Sequence, residues 1–287
     1  MRGITQRYPS DSFSAKIDYY RGQVDTALNA ELYQRRKSPF FAPFTDAFIG
    51  GKRLRPILLL LAYDSVHGRD DDPLPAAVAI ELAHMESIIH DDIIDGDGVR
   101  RDATAFHARY GQEMALLSAD FILSMILSIA ARYPDPRIMS ALATATARMC
   151  EGELTERLVS ETNKAVRPAV YQRIVLEKTA SLFEAAATIG ALIAGATAPD
   201  LSALTAYGRA LGVAYQIHDD ITDWAQSRTI TLELKDAHPP QSEFLLETAK
   251  TFTNEAVESL RPLKSSEAKQ TLIQLAERVD SRAFHQA

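Results

Sequence analysis

Cysteine, positive charge and long apolar runs are all scarce in this chain of 287 residues. A single cysteine, Cys150, excludes an internal disulfide framework and is typical of a reducing compartment. The net charge is −7, and no basic tail suggests nucleic acid as a partner. The longest uncharged apolar run, residues 185–199, contains two glycines and is too short to span a bilayer. We therefore expect a cytoplasmic protein with no integral membrane segment and no nucleic-acid partner.

The composition and the hydrophobic periodicity predict an all-α protein. Hydrophobic residues make up 46% of the chain and charged residues 24%, which is ordinary for a protein with a sizeable core. No segment shows the alternation expected of strands. Helices are predicted at about 14–33, at 76 to the acidic stretch near 91, at 112–133, 138–158 and 168–195, from a cap at Asp200 or Ser202 to about 220, and at 242–260 and 267–284. We expect one domain spanning residues 1–287, a large helical bundle with a central active-site cavity.

The most informative stretch is residues 90–101, which contains four carboxylates in seven positions and then two adjacent arginines. Asp91 and Asp95 are four residues apart, so on a helix they share one face with their Cβ atoms about 5–6 Å apart. Two like charges at that spacing destabilise the helix unless a cation lies between them. Magnesium fits, because it takes one or two carboxylates together with waters and phosphate oxygens. The candidate metal ligands here are Asp91, Asp92 and Asp95.

Basic residues that suit phosphate occur beside this cluster and earlier in the chain. Arg100 and Arg101 offer planar donors to phosphate oxygens. Residues 50–56 read Gly-Gly-Lys-Arg-Leu-Arg-Pro before a run of apolar residues. Glycines before a helix allow close approach of an anion, and Lys52 and Arg55 would face the same way. A solvated basic helix start explains this segment as well, so the segment alone decides nothing.

A second Asp-Asp-x-x-Asp cluster lies at residues 219–223, again near the predicted end of a helix. A histidine precedes each cluster, His90 in the first and His218 in the second. Carboxylates near a helix C-terminus lie in an unfavourable dipole. This unfavourable placement occurs twice with the same spacing. The repetition argues that the clusters are functional rather than ordinary charged surface residues. The second set of candidate metal ligands is Asp219, Asp220 and Asp223.

Other acidic groups are interpreted as solvated surface. The triplet at 70–72 has no apolar residues around it and is predicted to be a loop between two helices. Glu151, Glu153 and Glu156 lie towards the end of a predicted helix. We interpret them as a solvated helix end rather than as metal ligands.

If the two clusters face each other across the bundle, they define a site for a magnesium-bound diphosphate. Several Mg²⁺ ions would bridge its oxygens to Asp91, Asp95 and Asp219, and Lys178 and Arg100 would complete the site. Those charges would stabilise pyrophosphate as a leaving group. Departure from an allylic carbon leaves a carbocation, which needs a dry apolar pocket. The apolar residues on the cluster-bearing helices would provide it, although ordinary packing explains them equally well.

With these motifs the chain resembles the trans-isoprenyl diphosphate synthases, which form the polyprenyl synthetase family. The matching stretches are residues 50–56, 84–101, 107–111, 178–179 and 216–223. The resemblance implies the isoprenoid synthase fold and the joining of isopentenyl diphosphate to an allylic diphosphate with several Mg²⁺ ions. It implies that isopentenyl diphosphate is held by Lys52, Arg55, His84 and Arg101, and the allylic diphosphate by Arg100, Lys178 and the metal-bound aspartates. Thr179 and Gln216 would lie beside the reacting carbons, and the released pyrophosphate would take the proton.

The chain departs from the family pattern in three places. The lysine-containing loop usual after the second cluster is absent from residues 224–231, where Arg228 is a candidate replacement. The turn at 102–104 lacks the common glycine and proline. The fifth and fourth positions before the first cluster, which set product length in the family, are Glu86 and Ser87. A small Ser87 predicts an open pocket and a product longer than fifteen carbons, whereas a carboxylate at position 86 is unusual in an apolar tunnel. The expected product is roughly C15–C20.

Two other functions remain open at this stage. A terpene cyclase of the same fold would ionise a prenyl diphosphate without isopentenyl diphosphate, but the retained Lys52, Arg55 and His84 favour elongation. A non-catalytic partner subunit of a synthase is less favoured, because the aspartates of both clusters are intact. The family is usually dimeric, and the apolar helix at 114–131 is a possible homodimer interface, although core packing explains it as well.

Overall fold

The structure is a computed structural model that describes residues 12–48, 50–66, 71–96, 98–100, 103–162, 164–223, 232 and 241–280. Its helices are α1 (Phe13–Tyr33), α2 (Phe41–Ala47), α3 (Leu54–Ser65), α4 (Leu74–Asp95), α5 (Phe106–Tyr110), α6 (Gln112–Ala130), α7 (Pro136–Ser160), α8 (Pro168–Ile174), α9 (Ser181–Ile193), α10 (Ala198–Asp223), α11 (Gln241–Ser259) and α12 (Glu267–Asp280). A π-helical segment, Val175–Ala180, joins α8 to α9. Two short strands, β1 (Val99–Arg100) and β2 (Ala103–Thr104), pair antiparallel. The predicted all-α class is confirmed.

The predicted helices are present in the described part of the chain, and their first and last residues differ from the predicted bounds. The helix predicted for 168–195 is interrupted by the π-helical segment, which periodicity does not distinguish from an α-helix. Gly195 has a φ of 72° just after α9, as expected of a C-terminal cap. The predicted N-caps of α10 are wrong, because the hydroxyl of Thr197 accepts from the backbone N–H of Asp200 at 3.3 Å. The predicted end of the last helix, residues 281–284, lies outside the described residues.

The chain divides into two compact units. The first comprises residues 1–60 and 72–130, and the second comprises residues 61–71 and 131–287. In the first unit α4 packs against α1, α5 and α6. Its core includes Val24 of α1, Ile80 and Leu82 of α4, and Ile122 and Met125 of α6, all buried. The expectation of a single domain with a central cavity stays a prediction.

The second unit is built around α10, which packs against α9, α11, α12 and the π-helical segment. Tyr207 of α10 is fully buried and donates its hydroxyl to the backbone oxygen of Leu272 at 2.7 Å. Glu184 of α9 accepts from Arg209 of α10 at 2.9 Å and from Arg148 of α7 at 3.1 Å. One carboxylate therefore links three helices, and these helices carry or border the second acidic cluster.

Helix α6 combines an apolar composition with an exposed apolar face. By length and composition it is the one helix among the described residues that is long enough and apolar enough to cross a membrane, and 44% of its apolar window is buried. Core helices of soluble proteins pass the same test, so the finding is weak evidence for a span. The expected absence of a membrane segment stays a prediction.

Candidate active site

The first acidic cluster lies where α4 ends. The helix runs to Asp95, and Gly96 follows in the left-handed conformation with a φ of 68°. Asp91 is half-buried and Asp95 exposed, whereas Asp92 is only 4% exposed. The prediction that Asp91 and Asp92 lie in the last turns of the helix is confirmed. Asp91 and Asp95 are therefore more accessible to a ligand than Asp92 is.

The electrostatics of this helix end favour a cation. The last turn of α4 contains no basic residue, so the carboxylates lie at the negative end of the helix dipole without a compensating charge within that turn. Among the described residues, no group of three or more His, Cys, Asp or Glu side chains is arranged to hold a metal. Magnesium does not need such a group, because water and phosphate oxygens supply the rest of its octahedral shell. A pair such as Asp91 and Asp95 fits magnesium better than it fits a metal that demands a protein cage.

The basic residues predicted to bind phosphate in the first unit lie near the start of α3 and on α4. Lys52 and Arg55 are half-buried, and Arg55 is the second residue of α3. His84 lies on α4, also half-buried. Arg100 is in β1, where it pairs with Ala103, but its side chain lies outside the described part of the chain, as does all of Arg101. The roles predicted for these residues stay predictions.

The second cluster lies at the end of α10 in a chain of hydrogen bonds that crosses three elements. Thr179 of the π-helical segment donates its hydroxyl to Oε1 of Gln216 at 2.7 Å. Gln216 donates from Nε2 to Oδ1 of Asp220 at 2.8 Å. Tyr171 of α8 donates its hydroxyl to Oδ2 of the same carboxylate at 2.5 Å. Asp220 thus has both oxygens engaged, whereas Asp219 is half-buried beside it; the side chain of Asp223 lies outside the described residues.

Burial and nearby negative charge raise the pKa of Asp220 and of its partner Tyr171. The pKa of Asp220 is raised to about 6, mainly by burial and also by the charges of Glu156 and Asp219, whereas the hydrogen bonds from Tyr171 and Gln216 act to lower it. Burial and the charge of Asp220 also raise the pKa of Tyr171 well above its usual value, so this hydroxyl remains a donor. A bound cation would relieve the repulsion among these carboxylates.

Lys178 contacts two glutamates that were predicted to lie at a solvated helix end. Its Nζ lies 2.5 Å from Oε2 of Glu153 and 2.6 Å from Oε2 of Glu156. Their side chains are 15% and 31% exposed. The solvated interpretation is therefore wrong for these two, although it holds for Glu151, which is exposed. The ammonium group of Lys178 is therefore held by two carboxylates of α7.

The backbone around Lys178 is π-helical rather than α-helical. Lys178 and Thr179 lie in the π-helical segment, and π-bulges within helices occur frequently at functional sites. Helix α7 approaches this segment so closely at Gly152 that a Cβ atom there would lie 2.4 Å from the backbone nitrogen of Lys178. Only glycine permits that approach, which brings Glu153 and Glu156 within reach of the lysine.

Glu86, at the position predicted to influence product length, is a residue of α4 and lies close enough to Asp120 of α6 to be affected by its negative charge. Burial, together with a smaller contribution from the negative charge of Asp120, raises the pKa of Glu86 from 4.5 to about 7. Burial also lowers the pKa of His90, one turn further along α4, although Asp120 acts in the opposite direction. Ser87 is half-buried and donates its hydroxyl to the backbone oxygen of His84 at 2.8 Å. Glu86 is therefore largely a neutral acid below pH 7.

The raised pKa of Glu86 predicts that removing its charge stabilises the protein at alkaline pH. The unfolded carboxyl loses its proton near pH 4.5 and the folded one near pH 7, so stability falls as the pH rises through that window. Glu86→Gln is expected to unfold with a free energy about 1–3 kcal/mol higher than wild type at pH 8, and close to wild type at pH 4.5. Urea denaturation at both values measures this. Glu277→Gln, at an exposed site on α12, is the control, and an equal pH dependence in both variants would contradict the assignment.

Several residues of the site carry no sequence signal of their own. The places of Tyr171 and Glu153 in the site follow only from their contacts with Asp220 and Lys178 in the structure. Tyr171 and Lys178 are seven residues apart, which corresponds to about two helical turns. This spacing is the sequence signal that would place both residues on one face of the same helical stretch. Arg53 lies between two residues predicted to bind phosphate, and the sequence alone does not distinguish its environment from theirs.

Comparison with known proteins gives the family. A family model described as Polyprenyl synthetase matches residues 38–237. A geranylgeranyl diphosphate synthase of Methanosarcina mazei is 35% identical over 237 residues, covering 80% of this chain and 72% of that enzyme. The chain spans only about half of some other relatives, such as 54% of the short chain isoprenyl diphosphate synthase of Methanothermobacter thermautotrophicus, which is 36% identical over 178 residues, 61% of this chain.

Solved structures agree with these relatives. The geranylgeranyl pyrophosphate synthetase of Pyrococcus horikoshii superposes with a TM-score of 0.83 at 26% identity, covering 94% of this chain and 98% of that one. The chain belongs to the polyprenyl synthetase family, whose matched members are isoprenyl diphosphate synthases. The resemblance found in the sequence, the isoprenoid synthase fold and the assignment as a prenyltransferase are confirmed.

Proposed function

We propose that this enzyme condenses isopentenyl diphosphate with an allylic diphosphate to give a trans-prenyl diphosphate of roughly C15–C20 and pyrophosphate. In this step the allylic carbon–oxygen bond breaks, a carbon–carbon bond forms, and one proton is lost. The observation that carries the proposal is the pair of Asp-Asp-x-x-Asp clusters, each in the last turns of a long helix, in a chain of this family.

The two acidic clusters and their basic neighbours are proposed to bind the allylic diphosphate. Asp91 and Asp95 of α4 and Asp219 of α10 would hold Mg²⁺, with Asp92, Asp220 and Asp223 as further candidates. Bound Mg²⁺ would neutralise the negative charge that develops on the leaving pyrophosphate. Lys178 would exchange its contacts with Glu153 and Glu156 for diphosphate oxygens, and Arg100 would add planar donors.

Gln216 and Thr179 are proposed to lie beside the reacting carbons. The amide oxygen of Gln216 accepts from Thr179 and its amide nitrogen donates to Asp220, so its orientation is fixed from both ends. Gln216 thus presents a fixed dipole to positive charge that develops on the substrate. Lys52, Arg55, His84 and Arg101 are proposed to bind the diphosphate of isopentenyl diphosphate.

The product length is proposed from the residues before the first cluster. Ser87 is small and turns its hydroxyl back to the helix, so it does not obstruct a growing chain. Glu86 adds a polar group at the same level, and a carboxyl group is a poor neighbour for hydrocarbon even when protonated. We therefore propose a product that stops at about C15–C20 rather than a long polyprenyl chain.

Mass analysis of the products tests the function. Purified enzyme with Mg²⁺ is given dimethylallyl, geranyl or farnesyl diphosphate in turn, each with and without isopentenyl diphosphate. Products longer by multiples of five carbons, formed only with isopentenyl diphosphate, are expected. Hydrocarbon or alcohol formed without that substrate would favour a terpene cyclase instead. Turnover only after mixing with another synthase subunit would favour a partner subunit.

We also propose that the enzyme is a homodimer joined through α6. Four leucines of this helix, Leu116, Leu117, Leu123 and Leu127, are 38–57% exposed, and exposed apolar patches of this kind mark interaction sites. Sedimentation velocity is expected to give twice the mass of the 31.6 kDa chain. A monomer at micromolar concentration would contradict this. The scarcity of cysteine supports a cytoplasmic location as part of the same proposal.

A further inference from the structure

The segment before α3 has an unusual backbone that its sequence does not fully explain. Gly50 and Gly51 have φ angles of 78° and 104°, which glycine adopts readily. Arg53 has a φ of 50° and is the one non-glycine residue with positive φ in the described part of the chain. A residue with a side chain is held in that region only when its surroundings fix it there, and such positions cluster at ligand-binding segments. The contacts of the Arg53 side chain therefore explain how its positive φ is maintained.

The guanidinium of Arg53 is buried and bound from three sides. Its Nη1 donates to Oε1 of Glu81 on α4 at 2.6 Å, and its Nε donates to Oδ1 of Asp25 on α1 at 2.9 Å. Its Nη2 donates to the backbone oxygen of Phe48, just after α2, at 2.6 Å. The side chains of Arg53 and Glu81 are 3% and 5% exposed, whereas that of Asp25 is 42% exposed. The inner pair with Glu81 is thus well shielded from water.

This contact network joins the segments that carry three residues proposed to bind one ligand. Lys52 directly precedes Arg53 in the chain, and Arg55 follows two residues later in the first turn of α3. His84 lies one turn beyond Glu81 on α4, on a rigid helix. The Arg53–Glu81 pair therefore fixes the distance between the segment that carries the two basic residues and the helix that carries the histidine.

We propose that Arg53 and Glu81 are positioning residues for the diphosphate of isopentenyl diphosphate. They do not touch the ligand in this proposal; they hold Lys52, Arg55 and His84 in one arrangement. A bidentate or tridentate phosphate site tolerates little displacement of its donors. The inference rests on the proposed function of those three residues, and it predicts a loss confined to one of the two substrates.

The test compares Michaelis constants for the two substrates in a graded series of variants. Arg53→Lys keeps the charge but loses the planar fork, and Glu81→Gln keeps the shape and one acceptor but loses the charge. Both are expected to raise the KM for isopentenyl diphosphate by about tenfold or more, because the donors shift, and to leave the KM for the allylic diphosphate within about twofold. Asp25→Asn, at the more exposed partner, is expected to give a smaller rise of about two- to threefold.

Two further variants separate positioning from general destabilisation and from the proposed function itself. Leu32→Ala removes a buried side chain from α1 without touching the network, and is expected to lower the Tm while leaving both KM values unchanged. Lys52→Ala tests the binding site directly, and is expected to raise the KM for isopentenyl diphosphate alone.

The outcomes are distinguishable. A raised KM in Lys52→Ala, together with wild-type values in Arg53→Lys, Glu81→Gln and Asp25→Asn, would overturn the positioning role alone. The positioning role would also be overturned if the KM values for both substrates rose equally, or if the KM for isopentenyl diphosphate rose in Leu32→Ala as well. The Arg53–Glu81 pair would then have a structural role only. An unchanged KM in Lys52→Ala would overturn the proposed binding site and this inference with it. If Arg53→Lys does not fold, Glu81→Gln and Asp25→Asn decide the question.

Discussion

Alanine in place of Asp91 or Asp219 is expected to lower kcat by about two to three orders of magnitude or more while the protein stays folded. Each carboxylate is proposed to hold Mg²⁺ on the leaving diphosphate, and loss of one such stabilising group costs about 10²- to 10³-fold. Asp91 is half-buried at the C-terminal, negative end of α4, where a carboxylate interacts unfavourably with the helix dipole. Far-ultraviolet circular dichroism and Tm should therefore remain close to wild type.

Steady-state assays across a range of Mg²⁺ concentrations measure this effect. Both variants are expected to need more Mg²⁺ for half-maximal rate, which a purely structural defect would not produce. Asp71→Ala removes an exposed carboxylate from the loop before α4 and is the matched control, with wild-type kinetics expected. Wild-type turnover in Asp91→Ala would remove the magnesium role of the first cluster. Loss of folding in Asp219→Ala would instead indicate that this carboxylate supports the second unit.

The helices could be predicted from the sequence because each has an apolar face, and the two acidic clusters could be placed because they interrupt apolar runs. Helix α4 ends within the first acidic cluster as expected, at Asp95, and Gly96 follows with a positive φ. The π-helical segment could not be predicted, since a single widened turn changes hydrogen-bond partners without altering the apolar pattern. The widened turn happens to carry Lys178 and Thr179, for which the family resemblance was the guide.

The partners of charged residues were the least predictable part. Glu153 and Glu156 lie on a helix whose end looked solvated, and only the packing of α7 against the π-helical segment brings them to Lys178. Periodicity describes one helix at a time and contains no information on which helix comes next to it. For the same reason the sequence does not predict the partners of Arg53, although Asp25, Glu81 and the backbone oxygen of Phe48 bind its guanidinium.

Alanine in place of Gly152 is expected to destabilise the protein and to impair use of the allylic diphosphate together. Its Cβ atom would lie 2.4 Å from the backbone nitrogen and 2.9 Å from the Cα of Lys178, and backbone atoms cannot rotate away. Overpacking of this kind costs about 1–3 kcal/mol, because α7 and the π-helical segment must separate. The separation would also draw Glu153 and Glu156 away from Lys178, so the KM for the allylic diphosphate is expected to change as well.

Gly22→Ala is the matched control because the same chemical change is made where nothing obstructs it. Gly22 is exposed within α1, and apart from its chain neighbours and the local helix backbone no heavy atom lies within 4 Å of the added methyl group. That variant is expected to gain about 0.5–1 kcal/mol, since alanine is the better helix former. Urea denaturation measures both free energies of unfolding, and kinetics with varied allylic diphosphate measure the second effect. Gly152→Ala as stable as Gly22→Ala would mean that α7 does not approach the π-helical segment this closely, and the contacts of Lys178 with the two glutamates would then lose their structural basis.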